Sequence, residues 1–346
     1  MENERSLNGT RGNARIDNDR AGDTSHGCGN SPAASSFIDG HPITYDAMVS
    51  LLKQNGFGDA ETPQTRFLLE RVSFQHIEHY LAVAKRYFPN AGVKTAHDLL
   101  QFDRRFQSIL LKYIGMFEMQ LRAQYAYKMN ESAGEHCLYD PGLFLDYAKY
   151  ARTMETVGGE LRKRAKHSKR LRSTLDGNGG KAPVWHAVEC MSLGNLSKLY
   201  SNTKDVAVTH SVADSFGVKR DELTSWLACL TAARNSCAHY DCLAFRKQLS
   251  TPPKRIRGVD CPNTIPFYTV FLLEKVLSTN RVFDDDSLHY SSDLATEIVA
   301  AIADFRQSQT GLISAMRLPE NWFETIFSDQ LQGIHFNISI ANGKEA

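Results

Sequence analysis

At 346 residues, 42% of them hydrophobic and 23% charged, the chain can bury one large core or two modest ones. A formal net charge of +1 excludes a globally basic nucleic-acid binder, so any such role must sit in local clusters. Seven cysteines without a Cys-x-x-Cys pair fit free thiols in a reducing compartment rather than a disulfide scaffold. No apolar run approaches the roughly 18–20 residues of a membrane span, and the N-terminus lacks the apolar stretch of a secretion signal. The expectation is a soluble cytoplasmic protein.

Residues 1–40 are rich in Asn, Gly, Ser, Asp and Arg and almost free of apolar side chains. They cannot offset the entropy of ordering, and a disordered tail is expected. Order begins at 44–56, where Thr44 can cap a helix and Gly56 can stop it. A second helix is expected over 62–87. Inside it His76 and His79 have the spacing of two metal ligands, but no third ligand joins them, so packing beside Tyr80 is expected and no metal is assigned.

A long helix is expected over 95–131, because Phe102, Phe106, Ile109, Tyr113, Met116, Phe117, Gln120 and Leu121 keep a helical period. Glu118 and Arg122 lie four apart on it and can pair. In solvent that pair is worth a few tenths of a kcal/mol; buried, it would orient structure or a site. Asp140-Pro-Gly142 is a turn before an amphipathic stretch to about 156. Between 161 and 172 stand seven cations and no acid: Arg162, Lys163, Arg164, Lys166, Lys169, Arg170 and Arg172. A solvated helix face and a phosphate-backbone contact are both open readings of this run. Asp176-Gly-Asn-Gly-Gly180 lacks the spacing of a phosphate-binding loop and reads as a linker.

Further helices are expected over 183–194, opened by Pro183 and closed by Gly194, then over 195–200 and over 206–216 with Gly217 as its stop. Another opens at 222 behind Asp221 as cap and runs to Tyr240. The basic, Pro-containing stretch 247–257 is a loop. Helices follow at 267–277, 293–306 and 311–316, with 318–322 as a closing turn. Period-2 alternation is almost absent, so the fold class is all-α.

Trp226–Tyr240 carries the arginine and histidine whose spacing suggests chemistry. At 100° per residue Leu223, Trp226, Leu227, Leu230, Ala233 and Cys237 form an apolar stripe, and Arg234 stands at its border. Asn235 and His239 are four apart on the opposite face, beside Ala228 and Ala232. A bland account exists: an arginine and a histidine at a helix end can serve as dipole partner and cap.

Six blocks resemble, in order, the Abi (abortive infection) proteins: 51–57, Phe102-Asp-Arg-Arg-Phe106, Phe117-Glu-Met-Gln-Leu-Arg-Ala123, Pro183-Val-Trp-His-Ala-Val-Glu189, Ser192-Leu-Gly-Asn-Leu196 and Arg234-Asn-Ser-Cys-Ala-His239. Met316-Arg-Leu-Pro-Glu-Asn-Trp322 also looks like the family's closing signature, so the likeness spans about 44–325. The resemblance implies the HEPN superfamily, helical bundles marked by Arg-x4–6-His, many of them metal-independent ribonucleases in phage defence and toxin–antitoxin pairs. It places Arg234 and His239 in the catalytic motif, with Asn235 as the polar residue after the arginine. Some such toxins carry a tyrosine two residues after the histidine; here Tyr240 follows directly and Asp241 takes that place, so silencing by tyrosine modification is not carried over. The family also implies no cofactor, an RNA substrate, and restraint by an antitoxin or noncoding RNA; a homodimer is favoured instead by geometry, since Arg234 and His239 stand about 140° apart on one helix and a single histidine makes no acid–base pair.

The domain expectation is a tail over 1–40, an Abi/HEPN-like helical domain over 41–260 with a basic insert and linker at about 160–182, and a helical extension over 261–346 packed on the same domain. A non-catalytic RNA-binding or protein-interaction module with the same fold is the competing function.

Overall fold

The structure is a computed structural model, and it describes residues 44–279 and 290–327. The expected tail over 1–40 and the end of the C-terminal extension lie outside the described residues. Fourteen α-helices and two short 3-10 turns make up the described fold. A single antiparallel bridge between Phe144 and Thr203 is the β pairing among the described residues. No helix among them is long and apolar enough to cross a membrane.

The first three helices, α1 (Tyr45–Gln54), α2 (Pro63–Leu69) and α3 (Phe74–Tyr87), lead to α4 (Val93–Ala133). Thr44 caps α1, its hydroxyl accepting from Ala47 N at 3.2 Å. The helix expected over 62–87 is two, because Ser73 adopts an extended ψ of 136° and α3 starts afresh. Helix α4 is 41 residues long, about 60 Å at 1.5 Å per residue. Its N-terminus is capped from outside: the Asp59 carboxylate accepts from Val93 N at 2.7 Å and Lys94 N at 3.0 Å. Gly92 permits that approach, since a Cβ there would lie 2.6 Å from Asp59 Oδ2.

Around α4 pack α3, α7 (Val184–Glu189), α9 (Val206–Asp214), α10 (Arg220–Ala238), α11 (Tyr268–Leu277) and α12 (Tyr290–Ala303). Phe106, Leu110, Tyr113, Phe117, Leu121 and Tyr125 of α4 are fully buried, each contributing about 1.5–3 kcal/mol of apolar burial. Phe102 and Phe106 join Phe245, Phe267 and Phe305 in a chain of ring contacts. Helix α13 (Gln309–Met316) lies on α3, the expected turn follows at 318–321, where Trp322 N donates to Pro319 O at 3.0 Å, and α14 (Trp322–Phe327) closes the described chain.

The basic run is helical on both sides of Ser168. Helix α5 (Tyr147–His167) extends well past 156 and α6 (Lys169–Gly177) follows at once. Ser168 restarts the helix, its hydroxyl accepting from Leu171 N at 3.2 Å. The expected linker shrinks to a turn in which Gly179 and Gly180 hold positive φ.

Gly194 is not a helix stop. Helix α7 ends at Glu189 and α8 (Leu193–Asn202) begins behind Ser192 as N-cap. Gly194 instead faces α10, where a Cβ would stand 3.3 Å from Thr231 Cγ2, so the glycine sets the close approach of these two helices. Asp221 does not cap α10 either. Lys219 is the N-cap residue, and its N–H donates to the Glu222 carboxylate at 2.8 Å, while the Asp221 carboxylate pairs with Lys254.

Candidate functional site

Helix α10 buries Leu223, Trp226, Leu227, Leu230, Ala233 and Cys237, and also Cys229 and Ser236, between α4, α8, α9 and α11. The buried arc is wider than the stripe, which confines the polar positions to a narrow outer face. On that face Ala228, Asn235, Ala238 and His239 are exposed, and Ala232 and Arg234 are half-buried. The structure thus brings Arg234, Asn235 and His239 to the last turn and a half of one helix, at a surface floored by alanines.

His239 is the C-cap residue. Its backbone N–H donates to Asn235 O at 3.0 Å, but its imidazole has no hydrogen-bond partner among the described residues. A capping histidine would use its ring on the last carbonyls, and this one does not. Those carbonyls are met by backbone instead: Tyr240 N donates to Cys237 O at 3.2 Å and Asp241 N to Ser236 O at 3.0 Å. This is the Schellman pattern, which requires a left-handed residue after the cap. Tyr240 supplies it at φ 58°, a place usually given to glycine. The Arg234 guanidinium likewise has no acceptor among the described residues, although its field reaches the Cys237 thiol.

The segment beyond the motif is pinned by α4. Asp103 is completely buried, and its carboxylate accepts from Leu243 N at 2.9 Å, Ala244 N at 2.8 Å and Tyr80 Oη at 2.7 Å. Burial pushes the Asp103 carboxyl above its usual range, against these hydrogen bonds. Gln107 Nε2 donates to Asp241 O at 2.7 Å, and the Arg104 guanidinium lies 4.5 Å from the centre of the Tyr240 ring. Asp103, Arg104 and Gln107, in consecutive turns of α4, therefore fix the chain on the far side of His239. Sequence reasoning missed these roles. The available signal was Asp103 itself, a carboxylate in phase with Leu99, Phe106 and Leu110 on an otherwise apolar stripe.

Glu118 and Arg122 are half-buried rather than fully solvated, with side-chain exposures of 13% and 17%. Arg122 pairs with Glu118 and donates to Met191 O at 2.7 Å. It ties α4 to the α7–α8 junction, whose next turn carries Gly194 against Thr231, one turn before Arg234.

The seven cations divide. Lys163 pairs with Glu160 at 2.6 Å, and Arg164 donates to Glu189 O at 2.6 Å. Arg172 donates to Ala165 O and Lys166 O and so caps α5. Arg162, Lys166, Lys169 and Arg170 are exposed and have no ion pair among the described residues. Arg162, Lys166 and Arg172 line a shallow groove between α5 and α6 with Leu175.

His76 and His79 do not converge on a common point that a third ligand completes; among the described residues no group of three His, Cys, Asp or Glu side chains is placed to hold a metal. His79 is largely buried, and burial lowers its basicity, with Arg246 and Arg317 adding to the effect and Asp103 and Phe245 opposing it. Cysteines 137, 190, 229, 237, 242 and 261 are buried free thiols.

The molecule is therefore an all-α protein with an accessible Arg–Asn–His surface at the end of one core helix. Residues 67–244 match the family described as Abi-like protein, more than half of the chain, and the chain belongs to that family. The match runs from α2 through the motif and stops at Ala244, where the Asp103 anchor grips the backbone. No curated protein and no solved structure matches the chain.

Proposed function

We propose that this Abi-like protein is a metal-independent endoribonuclease of the HEPN type, acting in phage defence or as a toxin that arrests growth. The observation that carries the reading is the last turn and a half of α10: three polar side chains without a hydrogen bond or ion pair among the described residues, on a helix whose other faces are packed.

Cleavage of RNA without metal needs a base for the 2′-hydroxyl proton, after which that oxygen attacks the adjacent phosphorus and the 5′-oxygen leaves. Histidine suits the first task because it titrates near neutrality. Arginine suits the second, as a permanent planar cation for the charge developing on phosphorus. His239 is the base, Arg234 the charge stabiliser, and Asn235 hydrogen-bonds the histidine or the phosphate. The products are a 2′,3′-cyclic phosphate and a 5′-hydroxyl. Glu118 and Arg122 act at one remove, holding α8 against α10.

Five residues place Arg234 and His239 about 140° and about 7.5 Å apart on an ideal helix. One such helix does not aim both at one phosphate, and one histidine does not make an acid–base pair. A two-fold homodimer resolves both problems, with two copies of α10 meeting over Ala228 and Ala232 and the second His239 protonating the leaving oxygen.

The test is incubation of purified protein with total RNA in EDTA. Wild type cuts, and His239→Ala and Arg234→Ala do not. Cleavage retained by His239→Ala refutes the site, and cleavage abolished by chelation refutes the metal-free mechanism. In cells, overexpression arrests growth and Arg234→Ala relieves the arrest. The unpaired cations of α5 and α6 favour a second reading, a non-catalytic RNA-binding module, which predicts salt-sensitive binding with no cleavage by any variant.

A further inference from the structure

Tyr240 is costly where it stands. The Schellman turn demands a left-handed residue at this position, and Tyr240 adopts φ 58° although a glycine would do so without steric penalty. The turn does not need the side chain, since its hydrogen bonds run from the Tyr240 and Asp241 amides to Cys237 and Ser236. The ring buries little, being 56% exposed in a protein whose other large aromatics are mostly interior. Strained backbone held in place by its surroundings is a mark of functional positions, and here Asp103 and Gln107 do the holding.

One face of the ring is occupied. The Arg104 guanidinium lies 4.5 Å from its centre, and that cation–π contact holds the ring from one side, leaving it 56% exposed. Consecutive Cα atoms are about 3.8 Å apart, so this half-covered ring begins one residue from the His239 imidazole, which is itself exposed.

We infer that Tyr240 is a stacking platform for an unpaired RNA base next to the cleaved phosphate, with Arg104 backing the ring and offering its guanidinium to the neighbouring phosphate. This deepens the ribonuclease reading and rests on it. A base has a π-face whatever its identity, so the contact selects single-stranded, flexible RNA over a duplex and is tolerant of sequence. It also accounts for the strain: the left-handed turn directs an aromatic side chain outward at a point where glycine would leave nothing to stack upon.

The experiment uses the full chain in a His239→Ala background, so that substrate stays intact, and a single-stranded oligoribonucleotide carrying 2-aminopurine. Binding quenches the 2-aminopurine fluorescence when that base stacks on the ring. Tyr240→Gly abolishes the quench and weakens binding about 5- to 150-fold, the range for loss of one base–aromatic stack, while its urea midpoint stays level or rises because the strained residue is gone. Tyr240→Phe keeps both quench and affinity. The inference is overturned if Tyr240→Gly binds and quenches like its parent, or if Tyr240→Phe loses as much as Tyr240→Gly, which would assign the contact to the hydroxyl. In either case cleavage by wild type that His239→Ala abolishes leaves the ribonuclease reading standing. Failure of wild type to bind or cut any RNA overturns both.

Discussion

Deleting one oxygen atom tests how the motif is held. Tyr80 is 2% exposed and its hydroxyl donates to Asp103 Oδ2 at 2.7 Å. Burial raises the pKa of that hydroxyl far beyond its ordinary range, so it remains a donor at every accessible pH. Tyr80→Phe removes the donor and keeps the ring, including its edge-on contact with Phe245 at 6.1 Å. A hydrogen bond to a charged group is worth about 1.5–3 kcal/mol net. The remaining donors to the carboxylate, Leu243 N, Ala244 N and the Cys242 thiol, stay in place, so the loss should fall within that range and not exceed it. Urea unfolding followed by circular dichroism reads it as a lower midpoint at unchanged slope. A loss below about 0.5 kcal/mol would mean that the backbone amides and the Cys242 thiol hold Asp103 without the tyrosine. A change in slope would mean that the variant altered compactness, and the single-bond reasoning would fail.

Arg122→Leu strands the half-buried Glu118 carboxylate and the Met191 carbonyl, and should cost about 1–3 kcal/mol in urea unfolding; adding Glu118→Leu should recover part of it, and no recovery would refute the paired-charge account. Replacing Arg162, Lys166, Lys169 and Arg170 by Gln should leave the helical spectrum unchanged and flatten the salt dependence of RNA binding, by about 0.7 in log–log slope for each phosphate that is no longer neutralised. An unaltered slope would remove the α5–α6 face from the RNA path. His79 is held below its unfolded value of about 6.5 by burial, so its contribution to stability is present above that pH and is lost as pH falls through the depressed folded value. Wild type should therefore lose stability between pH 7.5 and 5.5, at up to about 1.4 kcal/mol per unit from this residue, and His79→Asn should lose less; equal losses would refute the assignment.

What the sequence determined by itself is what repeats along a helix. The 3.6-residue period marked α4 and α10, their apolar arcs and the outward position of Asn235 and His239, because those properties are local. Helix ends were less legible. Ser73 splits one expected helix and Ser168 separates α5 from α6, while Gly194, expected to end a helix, stands in the first turn of α8; its role is set by Thr231 on a different helix. The site's supports were hidden for the same reason. The partners of Asp103 lie 23, 140 and 141 residues away, and Arg122 reaches Met191 across 69. Whether Glu118 and Arg122 formed a solvated pair or a half-buried tie could not follow from a spacing of four, since burial belongs to the packed molecule. Sequence placed the histidine and arginine on one helix; the tertiary structure decided which of their neighbours hold that helix end in place.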